Sequence, residues 1–178
     1  MSSRNSTFKI VFTAMFAALI CVATMLIHIP TPGTGGYANL GDGILLTGAF
    51  LLPIYPGVAA AAIGSMLADL LAGYMVYAPG TLIVKGCTAL IAVLIYRTSS
   101  KKISSTPLRL IVAAVPAELF MAAGYLLYES IFLGYGSAAL ASVPANLAQG
   151  FVGCIVSLLL TSLLSASHEF NDLIKKLY

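Results

Sequence analysis

Six apolar runs follow one another along the chain, at about residues 8–29, 42–55, 57–76, 80–96, 108–134 and 143–166, separated by Pro, Gly or charged residues. A helix needs roughly 20 apolar residues to cross a bilayer, and five of these runs approach or exceed that length. The second is shorter: a dozen residues give about 18 Å of helix against about 30 Å of hydrocarbon. It is expected as a short or tilted helix shielded by its neighbours, because irregular backbone at membrane depth persists only when buried in protein. Composition agrees. Of 178 residues, 60% are hydrophobic and 8% charged, against roughly 45–50% and 25% in soluble domains. The expected fold is an all-α integral membrane protein, a six-transmembrane-helix bundle in which residues 1–178 form one domain.

The first run, Ile10 to Ile29, exceeds the length of a signal-peptide core and ends in His28-Ile29-Pro30 without a small-residue cleavage site. It is therefore read as a retained span. With six spans, both termini and the connections near 53–57 and 97–108 share one side. Arg4, Lys9, Arg97, Lys101, Lys102, Arg109, Lys175 and Lys176 fall there, eight of the nine basic residues. The positive-inside bias makes that side the cytoplasm and the location a cell membrane, crossed several times. The connections 30–41, 74–79 and 135–142 then face outward. Glycines in the first make tight-loop conformations cheap, and Tyr37 and Asn39 add a stacking face and an amide, so it is read as a lid over a ligand.

Several functions are excluded. A net charge of +3 from scattered residues gives no nucleic-acid footprint. Cys21, Cys87 and Cys154 lie in apolar runs without metal-ligand or disulfide spacing, so no metal or cofactor is expected. No GxxxxGK[ST] stretch is present, so any ATP consumption belongs to another subunit. No Ser-His-Asp or HExxH arrangement appears, and no catalytic residue is assigned.

Polar groups inside spans cost about 2.5–3.5 kcal/mol on insertion scales when charged, and each is by default a functional-site hypothesis. Asp69 and Lys85 flank the 74–79 turn and are expected to pair, with Lys85 as a ligand donor the alternative. Asp42 reads as a helix N-cap. Glu118, Ala122, Tyr125 and Glu129 follow i, i+4, i+7, i+11 and line one helix stripe, while Pro116 is expected to kink that helix. Glu129 is alternatively an interfacial residue at the outer rim. Asn146, Gln149, Gly150, Gly153 and Ser157 form a polar and small stripe on the last span, suited to a neutral heteroaromatic or to interhelical hydrogen bonding. Ala14, Ala17 and Ala18 on the first span, and Ala60, Gly64 and Ala68 on the third, permit close helix approach; the third packs internally, and the first is free to dock another membrane subunit.

The segments Tyr37-Ala-Asn-Leu-Gly-Asp42, Leu52-Pro-Ile-Tyr-Pro-Gly57, Gly64-Ser-Met-Leu-Ala-Asp69-Leu-Leu-Ala-Gly73-Tyr and Ala78-Pro-Gly-Thr-Leu-Ile-Val-Lys85-Gly86 resemble the S components, or substrate-capture subunits, of energy-coupling factor (ECF) vitamin transporters. The similarity is greatest to the branch associated with riboflavin, hydroxymethylpyrimidine and pyridoxine, and it covers about residues 8–165. It implies a six-helix bundle with an outward vitamin site under the loop between helices one and two. It also implies docking through Ala14, Ala17 and Ala18 on a transmembrane coupling protein served by two cytoplasmic ATPases, in the plasma membrane of a bacterium. The site residues expected to touch the vitamin are Tyr37, Asn39, Lys85, Glu118, Tyr125, Glu129, Asn146 and Gln149. Trp is absent, so stacking falls to tyrosines, with Tyr37, Tyr74, Tyr77, Tyr125 and Tyr128 available near the outer half, and pyridoxine or hydroxymethylpyrimidine is favoured with riboflavin third. Three other classes stay open: a proton-coupled secondary transporter with Glu118 as proton carrier, a non-transporting membrane scaffold, and an integral-membrane enzyme.

Overall fold

The computed structural model describes residues 3–178, with side chains from Ser6 onward, so the orienting charge read at Arg4 lies outside the described side chains. The chain is a helical bundle. Helix α1 (Ser3–Leu26) leads into a small antiparallel hairpin, β1 (Ile29–Pro30) and β2 (Tyr37–Ala38), followed by α2 (Gly41–Leu51), α3 (Ile54–Leu71), α4 (Ala78–Ser99) and α5 (Thr106–Leu127). A π-helical turn (Tyr128–Phe132) and a 3-10 segment (Gly136–Ser142) connect to α6 (Val143–Ala166) and the short α7 (His168–Lys175).

Among the described residues, five helical segments are long and apolar enough to cross a membrane: Ser6–Leu26, Ile54–Leu71, Ala78–Ser99, Thr106–Phe132 and Gly136–Ala166. The second apolar run yields the eleven-residue α2. It occupies the middle of the bundle, packed against α1, α3, α4 and α6. Ten of its eleven residues are buried, as the shielding argument requires. The longer helices turn Ile10, Val11, Leu19, Val22, Ile83, Leu119, Phe151 and Leu163 outward, an apolar belt that suits lipid contact.

Small residues set the close approaches. Ala60, Gly64 and Ala68 are buried on α3, and a Cβ added at Gly64 would lie 2.5 Å from the Ala17 carbonyl oxygen. Ala17 therefore belongs to the α1–α3 contact, whereas Ala14 and Ala18 face outward; the expected docking triplet is divided. On the opposite side, a Cβ at Gly150 or Gly153 of α6 would stand 2.8 Å from the Cβ of Glu118 or Asp42 respectively. The α6 stripe thus brings two acids against helix backbone.

Three features add to the sequence reading. The connection after α1 closes as a ladder of two residues per strand, with Ile29 opposite Ala38 and Pro30 opposite Tyr37; proline is tolerated because such a ladder is all edge. Helix α5 continues through Pro116 as one α-helical segment, and a π-turn carrying Glu129 follows it. Finally, α7 was not foreseen. Phe170, Ile174 and the fully buried Leu177 just beyond it pack on the core, so this end of the chain is an anchored plug.

Candidate functional site

Under the hairpin lies a polar cavity of about 20 Å³ lined by Thr31, Gly36, Tyr37, Asn39, Asp69, Tyr77, Thr81, Tyr125, Glu129, Asn146 and Gln149. The hairpin roofs it, α3, α4 and α5 form one wall, and α6 closes the other. Its volume is of the order needed for one water molecule. A vitamin-sized ligand therefore requires the roof and walls to part.

The roof is tied on three sides. Thr31 N donates to Gly36 O at 3.0 Å, closing the hairpin turn, where Gly33 takes φ 76°. Gly35 N donates to the Tyr135 hydroxyl at 3.2 Å. The Tyr37 hydroxyl donates to Asp69 Oδ1 at 2.6 Å, and its ring lies 4.3 Å from that of His28 and 4.4 Å from that of Tyr74. At the base of the lid Asn39 N donates to Gln149 Oε1 at 2.8 Å.

Gln149 continues the chain of bonds downward. Its Nε2 donates to Asp42 Oδ2 at 2.5 Å, and Lys85 Nζ donates to Asp42 Oδ1 at 2.5 Å. Lys85 is thus paired with Asp42, 43 positions away, and the expected Asp69–Lys85 pair is not formed. The reason is radial: Asp42 enters from the central α2, which α4 faces directly, while Asp69 is turned towards the lid. Asp42 is likewise not an N-cap, because Leu40 takes that position and the Asn39 side chain accepts from Gly41 N at 2.9 Å. The local amide takes over the turn, which frees the carboxylate for Lys85 and Gln149.

On the far wall Glu129 is 2% exposed, which replaces its reading as a rim residue. It accepts from the Tyr77 hydroxyl at 3.1 Å and from Ser142 Oγ. The π-turn adds a residue to the local winding and aims Glu129 inward, a known use of such turns. The hydroxyls of Thr81 and Tyr125 bond at 3.0 Å, and Lys85 Nζ stands 5.5 Å from the Tyr125 ring centre. Burial, reinforced by Asp69, raises the Tyr37 phenol above its ordinary range. Burial also raises the Tyr77 phenol, with Thr34 opposing and Glu129 reinforcing the shift. Both phenols therefore remain hydrogen-bond donors.

Of the eight residues read from sequence as ligand contacts, Tyr37, Asn39, Tyr125, Glu129, Asn146 and Gln149 converge on the cavity. Lys85 lies one layer beneath it, reached through Asp42 and Gln149. Glu118 is diverted to the α5–α6 boundary. It borders an apolar groove of about 340 Å³ lined by Ile111, Val115, Leu119, Leu147, Phe151 and Ile155, and neither of its carboxyl oxygens has a hydrogen-bond partner. Sequence reading did not assign Thr31, Thr81 or Ser142, and named Tyr77 only among the tyrosines available for stacking. Thr81 had a usable signal, as a hydroxyl one turn before Lys85 on the same helix face. Among the described residues no group of three or more His, Cys, Asp or Glu is placed to hold a metal ion.

The chain is similar to a known family and to a curated protein. A family model described as the ECF-type riboflavin transporter, S component, matches residues 4–166. A curated Pyrococcus woesei protein described as "Uncharacterized protein in gap 3'region" is 31% identical over 137 residues, covering 77% of this chain and 88% of that one.

Proposed function

The chain belongs to the ECF-type riboflavin transporter S component family, and from that premise we propose that it captures pyridoxine or hydroxymethylpyrimidine on the outer side of the membrane, with riboflavin as the third candidate. Membership makes it the substrate-capture subunit of a vitamin transporter, a multi-pass membrane protein of a family that is not enzymatic. The observation that carries the finer reading is the roofed cavity, where Tyr37, Tyr77 and Tyr125 supply aromatic faces and Asn39, Asn146 and Gln149 supply amides. Such a set suits a single small ring with several hydrogen-bonding edges. A three-ring flavin would demand a larger parting of lid from bundle.

In this reading α2 counts as a sixth crossing, completed by the chain on either side of it, and both termini are cytoplasmic. The hairpin is the outer lid, and release of the Tyr37–Asp69, Gly35–Tyr135 and Asn39–Gln149 bonds opens it. The outward Ala14 and Ala18 form the docking strip on α1 for a transmembrane coupling protein, and two cytoplasmic ATPases supply the work. The cell membrane of a bacterium is the proposed setting.

Calorimetric titration of the purified full chain in detergent with pyridoxine, hydroxymethylpyrimidine and riboflavin tests the proposal. Micromolar or tighter binding of either small vitamin is expected. Saturable binding of only an unrelated solute would overturn it, and uptake that persists without ATP but collapses with an uncoupler would favour a proton-driven carrier.

A further inference from the structure

Asp69 carries an unspent acceptor. Its side chain is 3% exposed and lines the cavity. Oδ1 accepts from the Tyr37 hydroxyl, while Oδ2 is buried with no hydrogen-bond partner. A buried polar atom left this way costs stability comparable to a lost hydrogen bond, which a ligand that supplies the missing donor restores.

The surroundings say which donor fits. Asp42, Asp69, Glu118 and Glu129 are all buried in this half of the bundle against one buried lysine, and Lys85 is already held by Asp42. The hydroxyls of Tyr37 and Tyr77 donate to carboxylates, Thr81 and Tyr125 share one hydrogen bond, and the Thr81 hydroxyl also neighbours Asp69. An anion entering here meets carboxyl groups and no free ammonium. A ligand N–H, by contrast, finds an acceptor at Oδ2, with the rings of Tyr37, Tyr74 and His28 grouped beside it.

We propose that Asp69 is the specificity-determining residue of the site, its Oδ2 accepting from an amino group or protonated ring nitrogen of a nitrogen heterocycle, and that the cavity rejects phosphate esters of the same ligand. The inference rests on the vitamin-capture reading and narrows it to uncharged or cationic rings bearing an N–H.

The test is a titration series on the full chain in detergent, pairing hydroxymethylpyrimidine and pyridoxine with their phosphate esters and adding riboflavin. The esters are expected to bind at least 30-fold more weakly than the alcohols. Asp69→Asn is expected to weaken hydroxymethylpyrimidine about 10- to 100-fold, as for a hydrogen bond to a charged group, with Asp69→Glu recovering part of the loss. Esters within threefold of the alcohols overturn the inference whatever the variants do. So does an Asp69→Asn protein of unchanged melting temperature that binds within twofold of the parent. Either result leaves vitamin capture standing, whereas binding of none of the vitamins defeats the capture reading and this inference together.

Discussion

The two ends of α2 face the same physical problem and solve it with different chemistry. A helix that stops inside a bundle leaves backbone groups unpaired where water is scarce. At the end under the hairpin, the outer end in the proposed orientation, the Asn39 side chain closes the turn and Asp42 is released into a network with Lys85 and Gln149. At the inner end the carbonyl oxygen of Leu52 accepts from Arg97 Nη2 at 3.2 Å and from the Tyr178 hydroxyl at 3.1 Å, with Leu51 O within 3.4 Å of the same hydroxyl. The buried Leu177 seals the position. Both ends use a charged side chain, but the outer network runs on into the hairpin, whereas the inner donors Arg97 and Tyr178 bond to each other and to the α2 carbonyls. The difference separates a site from a support.

The sharpest way to break this contrast is Lys85→Met. It leaves Asp42 buried without its cation, a loss of about 3–5 kcal/mol for a broken buried pair. The melting temperature in detergent is expected to fall by more than for any substitution at the inner end. Adding Asp42→Asn to Lys85→Met removes the stranded charge, so the double variant is expected to regain most of the stability while still binding vitamin poorly. A single variant that melts with the parent would show that the pair is not what holds the outer end.

Gln149→Leu comes next in size. It strands Asp42 Oδ2 and Asn39 N–H together, each worth about 1–3 kcal/mol when left unpaired in a buried setting. Because Asn39 joins the hairpin to α2, amide hydrogen exchange across 31–40 is expected to accelerate and ligand dissociation to quicken. Unchanged exchange in that stretch would mean that the lid is held by Tyr37 and Gly35 alone.

At the inner end, Tyr178→Phe removes one donor to the α2 carbonyls and is expected to cost about 0.5–1.5 kcal/mol, the usual net value of a hydrogen bond. Arg97 still reaches Leu52 O, which limits the damage. Vitamin affinity is expected to stay within twofold of the parent by calorimetry. A larger drop in affinity would join the two ends of α2 into one functional unit.

What was readable beforehand follows the same division. Tyr125, Glu129, Asn146 and Gln149 stood out because polar groups in apolar runs are conspicuous and helical spacing placed them on inward faces, whereas Tyr37 and Asn39 were read as a stacking face and an amide in the glycine-rich 30–41 connection. The bond between Asp42 and Lys85 was not readable. Two acids lay within reach of Lys85, and the choice depended on α2 lying at the centre of the bundle. The hairpin was hidden because two residues per strand make no alternation, and Pro30 argued against any ladder. Helix α7 was hidden for the opposite reason: its eight residues are mostly charged or polar, and the apolar pair Phe170 and Ile174 shows its purpose only once the core beneath is known. Glu118 faces Gly150 instead of the cavity, and Glu129 reaches the cavity from a π-turn that the α-helical spacing did not anticipate.

The smallest effect expected is in alkaline solution, and it compares one phenol from each end. Burial raises the Tyr37 phenol, with Asp69 adding to it; burial raises that of Tyr178 as well, but Arg97 draws it back. An unfolded tyrosine ionises near pH 10. Above that the unfolded chain binds fewer protons than the folded one, so stability falls as pH rises. The contribution is complete below about pH 10 and is lost as pH climbs towards the raised folded values. Thermal melting between about pH 9 and 11 is therefore expected to decline, with Tyr37→Phe flattening the decline more than Tyr178→Phe, because only at Tyr37 does the neighbouring charge reinforce burial. Equal flattening by the two would mean that the outer carboxylate contributes no more to its phenol than the inner guanidinium does, and that the two ends of α2 differ in connection but not in electrostatics.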